Sequence, residues 1–192
     1  MSNRRDLVLD AAIGIVGESG IRALTHRAVD AAAGLPAGST SNLFRTRDAL
    51  LNAVVEHFAA RERANAEELV ADVFPATPRE LADAIVAFAR DATGRNRALT
   101  LARYAILLEA AIHPPLRAQL LATGGRVNAW FAIWVRMAGS ADPGRDAAII
   151  ANHLTGVILH ELAIPDPAFD PSPAITALVM TLVRPREAEV PR

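Results

Sequence analysis

Residues 24–51 read LTHRAVDAAAGLPAGSTSNLFRTRDALL, from Leu24 to Leu51, and the reading of this stretch decides the fold. Thr25 suits the N-cap of a short helix, because its hydroxyl can accept a backbone N–H that has no helical partner. Gly34 supplies the positive φ that a sharp turn requires. Pro36 suits the first turn of a following helix, where its missing N–H costs nothing. Thr46 can cap the next helix, with Asp48 at that helix's positive end. Two short helices across a glycine turn form the geometry that lays the second helix in a DNA major groove. That second helix, near Gly38-Ser39-Thr40-Ser41-Asn42-Leu43, is small and polar, and Arg45 and Arg47 follow at once.

Working outward, the rest of the chain also reads as helix, giving an all-α fold of about nine helices. Helix one is expected over about Arg4–Gly17, with Leu9, Ala12, Ile13 and Val16 on one stripe and Gly20 as the stop. Helix four is expected over about Arg47–Val73, followed by helices near Pro78–Thr93, Arg97–Ile112, Leu116–Ala138 and Arg145–Ala163. Pro165, Pro167, Pro171 and Pro173 mark a stiff connection before an apolar last helix, about Pro173–Leu182, and the tail from Arg184 is expected to fray. The first three helices bury little core alone, so helix four is expected to join them through Phe44, Leu50 and Leu51. The expected domains are 1–47, a three-helix DNA-binding head, and 48–192, a ligand-binding and dimerisation domain.

Composition narrows the function. The 192 residues are 52% hydrophobic, enough for a sizeable core. Neither a membrane span nor a secretory leader is legible, so a cytoplasmic protein is expected. There is no cysteine, which excludes disulfides, thiol chemistry and zinc fingers. The net charge of -1 argues against a wholesale polyanion binder. Up to Arg47, however, six arginines stand against four acids, while the remainder carries fourteen against seventeen. A mildly basic head on an acidic body fits a localised phosphate-contacting end. No Gly-rich phosphate loop and no Ser-His-Asp arrangement on a strand–turn–helix is present, so neither catalysis nor a cofactor is expected.

The pattern Val8-Leu9-x-x-Ala12, Gly20, Thr25, Val29, Ala32-Ala33-Gly34, Gly38-Ser39, Phe44 and Arg47-x-Ala49-Leu50-Leu51 resembles the TetR/AcrR family of transcriptional regulators over about Asp6–Val54. The resemblance implies a homodimer with a helix-turn-helix at one end, a ligand pocket in the other domain and dimerisation through the last two helices. It implies that a ligand spreads the two DNA-reading heads and releases the operator. Two positions depart from the family pattern. Thr40-Ser41-Asn42-Leu43 stands where a Tyr-rich segment is usual, so Ser41 or Asn42 must replace an aromatic phosphate contact. Asp30 stands where a small residue is usual, and is expected to point outward or pair with an arginine such as Arg27.

Chemistry assigns candidate roles. Thr25, Arg27, Ser41, Arg45 and Arg47 are candidates for phosphate contact, since hydroxyls and guanidinium groups set register on the duplex. Gly38 lets backbone approach the duplex. Ser39, Thr40 and Asn42 are candidates for base edges, the alternative for each being a cap or a solvated side chain; Asn pairs bidentately with adenine and Thr touches a thymine methyl. His26 reads as a solvated helix residue. Phe88, Tyr104, Leu108, Trp130, Trp134 and His153 are candidates for an apolar ligand pocket, with plain core packing as the alternative. Gly156, Leu159, Ile175, Leu178, Val179 and Leu182 are candidates for a self-paired interface. His153 and His160 share a helix face, but a metal would need a third ligand from His113 or Glu161, so no metal is expected. A rival reading is a helical small-molecule-binding protein or enzyme whose helix-turn-helix resemblance is accidental.

Overall fold

Asn3 opens the first helix by accepting the Arg5 N–H, and the chain then folds as helix after helix in a computed structural model that describes residues 3–70 and 74–184. The elements are α1 (Arg4–Ser19), a 3-10 turn (Ile21–Ala23), α2 (His26–Ala32), α3 (Ser39–Leu43), α4 (Arg47–Val70), α5 (Pro78–Thr93), α6 (Arg97–Ile112), α7 (Pro114–Met137), α8 (Pro143–Ala163) and α9 (Ser172–Leu182). The described residues contain no strand. None of these helices is long and apolar enough to cross a membrane. Expected and observed elements agree closely, with local differences. α3 begins at Ser39, so Pro36 lies in the turn before it and serves through its carbonyl, which accepts the Ser39 N–H. α8 begins at Pro143 because the Asp142 carboxylate caps it on the Arg145 N–H. The expected end of helix four at Val73 and the tail beyond Arg184 lie outside the described residues.

Two compact units divide the chain, and they are not consecutive in sequence. The first takes residues 1–65 and 95–124, the second 66–94 and 125–192. Compactness therefore does not break at the expected 47/48 boundary. Apolar positions run without interruption from the head into α4 and on into α6. Val8, Leu9, Ala12, Ile13 and Val16 of α1 meet Leu24, Val29, Phe44, Leu50, Leu51, Val54 and Phe58, and Ala102, Ile106 and Ala110 of α6 close the same core. The expected packing of Phe44, Leu50 and Leu51 is observed; the share taken by α6 was not foreseen.

Within this unit α6 is held twice. Gly17 of α1 lies so close to α6 that a Cβ there would overlap the Ala98 carbonyl oxygen. Arg103 of α6 donates from Nε and Nη2 to both carboxylate oxygens of Glu62 in α4, at 2.6 and 2.9 Å. Such a paired fork has a defined geometry that a single point charge lacks.

In the second unit α5 turns Leu81, Ala82, Ile85, Val86 and Ala89 inward and packs against α8 and α9. Asp146, at the start of α8, is almost wholly buried, and its carboxylate accepts from Ser140 Oγ at 2.6 Å and from Arg145 Nε and Nη2. A buried carboxylate persists when donors replace the water it has lost.

Gly17→Ala tests the close approach of α1 and α6. At an open helical position this change would favour the helix by about 1 kcal/mol. Here overpacking should dominate and lower stability by about 1–3 kcal/mol in urea unfolding. A stability equal to or above the parent's would contradict the contact.

Candidate nucleic-acid interface

The turn between α2 and α3 is built from backbone first. Gly34 has φ +65°, and its N–H and that of Leu35 return to the Ala31 and Asp30 carbonyls, which ends α2. Gly38 has φ +91° and stands as the N-cap of α3. Glycine is thus required at Gly38 by the backbone itself, since other residues avoid this region.

With Gly38 as cap, α3 has no capping side chain of its own, and Asp30 takes that role from α2. One carboxylate oxygen, Oδ2, accepts the Gly38 N–H at 2.8 Å. The other, Oδ1, accepts the Thr40 N–H at 2.7 Å and the Thr40 hydroxyl at 2.6 Å. Asp30 is buried and Thr40 wholly so. The expectation that Asp30 points outward or pairs with Arg27 is therefore corrected. The physical reason is that a helix N-terminus carries free N–H donors, and an ionised carboxylate satisfies them better than water at a buried corner. The Thr40 hydroxyl bond, opposed by burial and aided by the Thr40 and Gly38 N–H groups and by His26, holds the Asp30 carboxyl below its ordinary pKa.

Four more hydrogen bonds fix the corner. Arg4 Nη2 donates to Ser39 Oγ at 3.1 Å, and that hydroxyl donates to the Pro36 carbonyl at 2.7 Å. His26 Nε2 donates to the Phe44 carbonyl at 2.7 Å, so His26 is a tether from α2 to the end of α3 rather than a solvated side chain. Arg47 Nη2 donates to the Ile21 carbonyl at 2.9 Å and ties the start of α4 to the 3-10 turn. Thr25 and Thr46 cap α2 and α4 on the Ala28 and Ala49 N–H groups, as their sequence positions predict.

These contacts sort the candidate residues. Ser39 and Thr40 are corrected as base-edge candidates: both are buried and both hydroxyls are engaged inside the protein. Asn42 is exposed, as is Ser41, whose hydroxyl bonds back to the Gly38 carbonyl. Thr25, Arg27, Arg45 and Arg47 are all exposed, around a short helix whose outward side carries Ser41, Asn42 and Leu43. The arrangement offers cationic groups for phosphates beside one amide able to donate and accept.

The pocket candidates are shared between the two units. Trp130 and Trp134 of α7 meet with ring centroids 4.5 Å apart and planes tilted by 46°, and Trp134 is buried. Phe88 is half-buried in the same unit. Tyr104 and Leu108 belong to the other unit; Tyr104 is buried, which pushes its phenol pKa up, whereas Leu108 is 73% exposed and is corrected as a pocket wall. His153 is exposed and opens onto a groove of about 530 Å3 that α8 lines with Asn152, Gly156 and His160 and the following segment lines with Asp166 and Phe169. His113 pairs with Glu109 at 3.0 Å, and Glu161 accepts the Asp166 N–H.

The interface candidates also divide. Gly156 and Leu159 are exposed on α8, and Leu178 and Leu182 are half-buried. Ile175 and Val179 are buried inside their own unit, on the side of α9 that packs on α5, and are corrected as surface contacts. The outward side of α9 carries Ala174, Ala177 and Met180, a spacing the apolar run of the last helix conceals.

Comparison with known proteins places this architecture. The family model described as "Tetracyclin repressor-like, C-terminal domain" matches residues 76–185. No curated protein matches the sequence. Among solved structures, a putative TetR-family transcriptional regulator from Rhodococcus sp. is similar at TM-score 0.76 and 22% identity, over 96% of this chain and 100% of its own. The multidrug binding protein EbrR complexed with ethidium is similar at TM-score 0.71 and 26% identity, over 95% and 99%. A TetR-family member from Streptomyces coelicolor A3 is similar at TM-score 0.70 and 25% identity, over 95% and 99%.

The Asp30 contact has a pH signature. Because its folded pKa is lowered, its contribution is complete above the unfolded value of about 3.9 and is lost as pH falls from there through the folded value. The stability gap between the parent chain and Asp30→Asn, measured by urea unfolding, should be constant near neutrality and shrink below about pH 4. A gap that widened in acid would have the wrong sign for a carboxylate held ionised.

Proposed function

The chain belongs to the tetracycline-repressor-like family of transcriptional regulators, and on that premise we propose that it is a dimeric operator-binding repressor released from DNA by a small, mostly apolar molecule. The exposed side of α3 is the observation that carries the DNA-binding part. Asn42 stands on a rigidly held helix, with Arg27, Arg45 and Arg47 exposed on the flanking elements. Double-stranded DNA is the partner this chemistry fits, the arginines meeting phosphates and Asn42 meeting a base edge. No part of the reading requires catalysis, a cofactor or a membrane.

Support for the ligand is of two kinds. The paired rings of Trp130 and Trp134 provide an aromatic cluster within the residues that the family model matches. Solved relatives bind small organic molecules: EbrR binds ethidium and proflavin, and a putative regulator from Saccharomonospora viridis binds choline. The head (residues 1–47) carries DNA contact and the remainder ligand and self-association. The dimer is proposed to form through the exposed sides of α8 and α9, where Gly156, Leu159 and Met180 lie. To act, the ligand must bind the DNA-incompetent dimer better than the competent one, because only differential affinity moves an equilibrium. By linkage, operator DNA then weakens ligand binding by the same factor, typically about 5–150-fold.

Duplexes selected by the full chain from a random library should bind with a log–log salt slope of about -0.9 per phosphate contact. Arg45→Ala should flatten that slope by about one contact, and Asn42→Ala should leave the slope and relax base preference. Arg47→Ala should flatten the slope and also lower the thermal midpoint, because it releases the Ile21 carbonyl. Failure to enrich any duplex would remove the DNA-binding reading.

Ligand occupancy is testable with ethidium, which should quench the emission of the two tryptophans and lower operator affinity in the same concentration range. Quenching with no change in DNA affinity would count against the switch.

A further inference from the structure

The inward side of α3 is unusual for a helix that must be held in place. Its buried residues are Ser39 and Thr40, both hydroxyl-bearing, and it has only five residues in all. A helix this short has no stability of its own, and nothing apolar on its buried side anchors it. Hydrophobic contact is non-directional, so an apolar anchor would tolerate rotation about the helix axis. Hydrogen bonds are directional, and α3 depends on them. Two carboxylate oxygens meet three donors, from the cap residue and the second helical residue, and those donors are spaced along the first turn.

From this we infer that Asp30, with Thr40, is the positioning pair that sets the rotation of α3 and thereby the sequence discrimination of the DNA-reading surface. The inference rests on the reading of that surface as the one that meets DNA. Successive residues of a helix are about 100° apart around its axis. A rotation of that size would turn Asn42 away and bring Thr40 toward the surface. The arginines proposed for phosphates lie on α2 and after α3, at Arg27, Arg45 and Arg47, so their placement does not pass through the Asp30 carboxylate. Loss of the clamp should therefore separate two properties that mere destabilisation would lower together. Contact with specific sequence should fail, and charge-driven contact with any duplex should remain.

Two nearly isosteric variants of the full chain test this. In Asp30→Asn an amide N–H2 must face one of the three donors, because only one side-chain oxygen remains to accept. Thr40→Val removes the hydroxyl and keeps both backbone bonds. Each is measured by fluorescence anisotropy at one salt concentration, against a duplex selected by the parent chain and against a duplex of unrelated sequence. Thermal melts establish that each variant is folded at the assay temperature. Asp30→Asn should lose at least about tenfold in affinity for the selected duplex, the scale of one unmade buried hydrogen bond, and Thr40→Val about threefold. Affinity for the unrelated duplex should stay within about twofold of the parent's, as the arginine contacts to phosphate, which carry the charge, are untouched. A parallel loss on both duplexes would make the role merely structural and overturn the inference. So would a folded Asp30→Asn that binds the selected duplex as the parent does. If Asp30→Asn does not fold, Thr40→Val carries the same comparison. Failure of the parent to enrich any duplex would overturn the DNA-binding reading and this inference with it, whereas an enriched duplex held equally by parent and variants would overturn this inference alone.

Discussion

One carboxylate holds the corner between α2 and α3 on which the proposed DNA-reading face depends. Asp30 accepts from Gly38, from the Thr40 N–H and from the Thr40 hydroxyl, and so links α2 to the first turn of α3. Other features of the corner are arranged around that link. Gly38 must be glycine to bring its N–H toward Asp30 with φ +91°. Ser39 is turned inward, where Arg4 and the Pro36 carbonyl engage it. At the far end His26 holds the Phe44 carbonyl. A helix of five residues would fray in isolation, and here it is pinned at both ends by polar contacts.

The head does not stand by itself. Its core is shared with α4 and α6, and the close approach of Gly17 to Ala98 leaves no room for even a methyl group. The Glu62–Arg103 fork adds a directional contact to that packing. α6 thus belongs to the compact unit that carries α2 and α3. Whatever displaces α6 also strains the contacts that hold α1 and α4.

In the second unit the same kind of residue serves two purposes. Ile175 and Val179 face α5 and are buried, whereas Met180 on the same short helix is nearly half exposed. Asp146 repeats on a smaller scale what Asp30 does, a buried carboxylate beside a turn whose donors replace water. Both acids lie where a helix starts or a helix must be oriented, and in both cases the carboxylate is kept by donors within reach.

Periodicity and capping chemistry were enough to read the helix order, the Thr25, Gly34 and Thr46 punctuation, and the stripe Leu9, Ala12, Ile13 and Val16, because these depend on residues three or four apart. The family pattern around Gly34 and Phe44 was legible for the same reason: a tight turn is a local constraint. The direction of Asp30 was not legible, since its partners stand eight and ten residues on and only a folded corner brings them together. Ser39 and Thr40 look identical in type to Ser41, and only the rotation of α3 decides which hydroxyls face inward. The apolar run of α9 could not reveal which of its residues face α5, nor could Leu108 reveal its exposure. Local sequence thus determined which elements form and where they stop. Tertiary structure alone decided which side of each element is buried, because burial is settled by the neighbour an element packs against and not by the element itself.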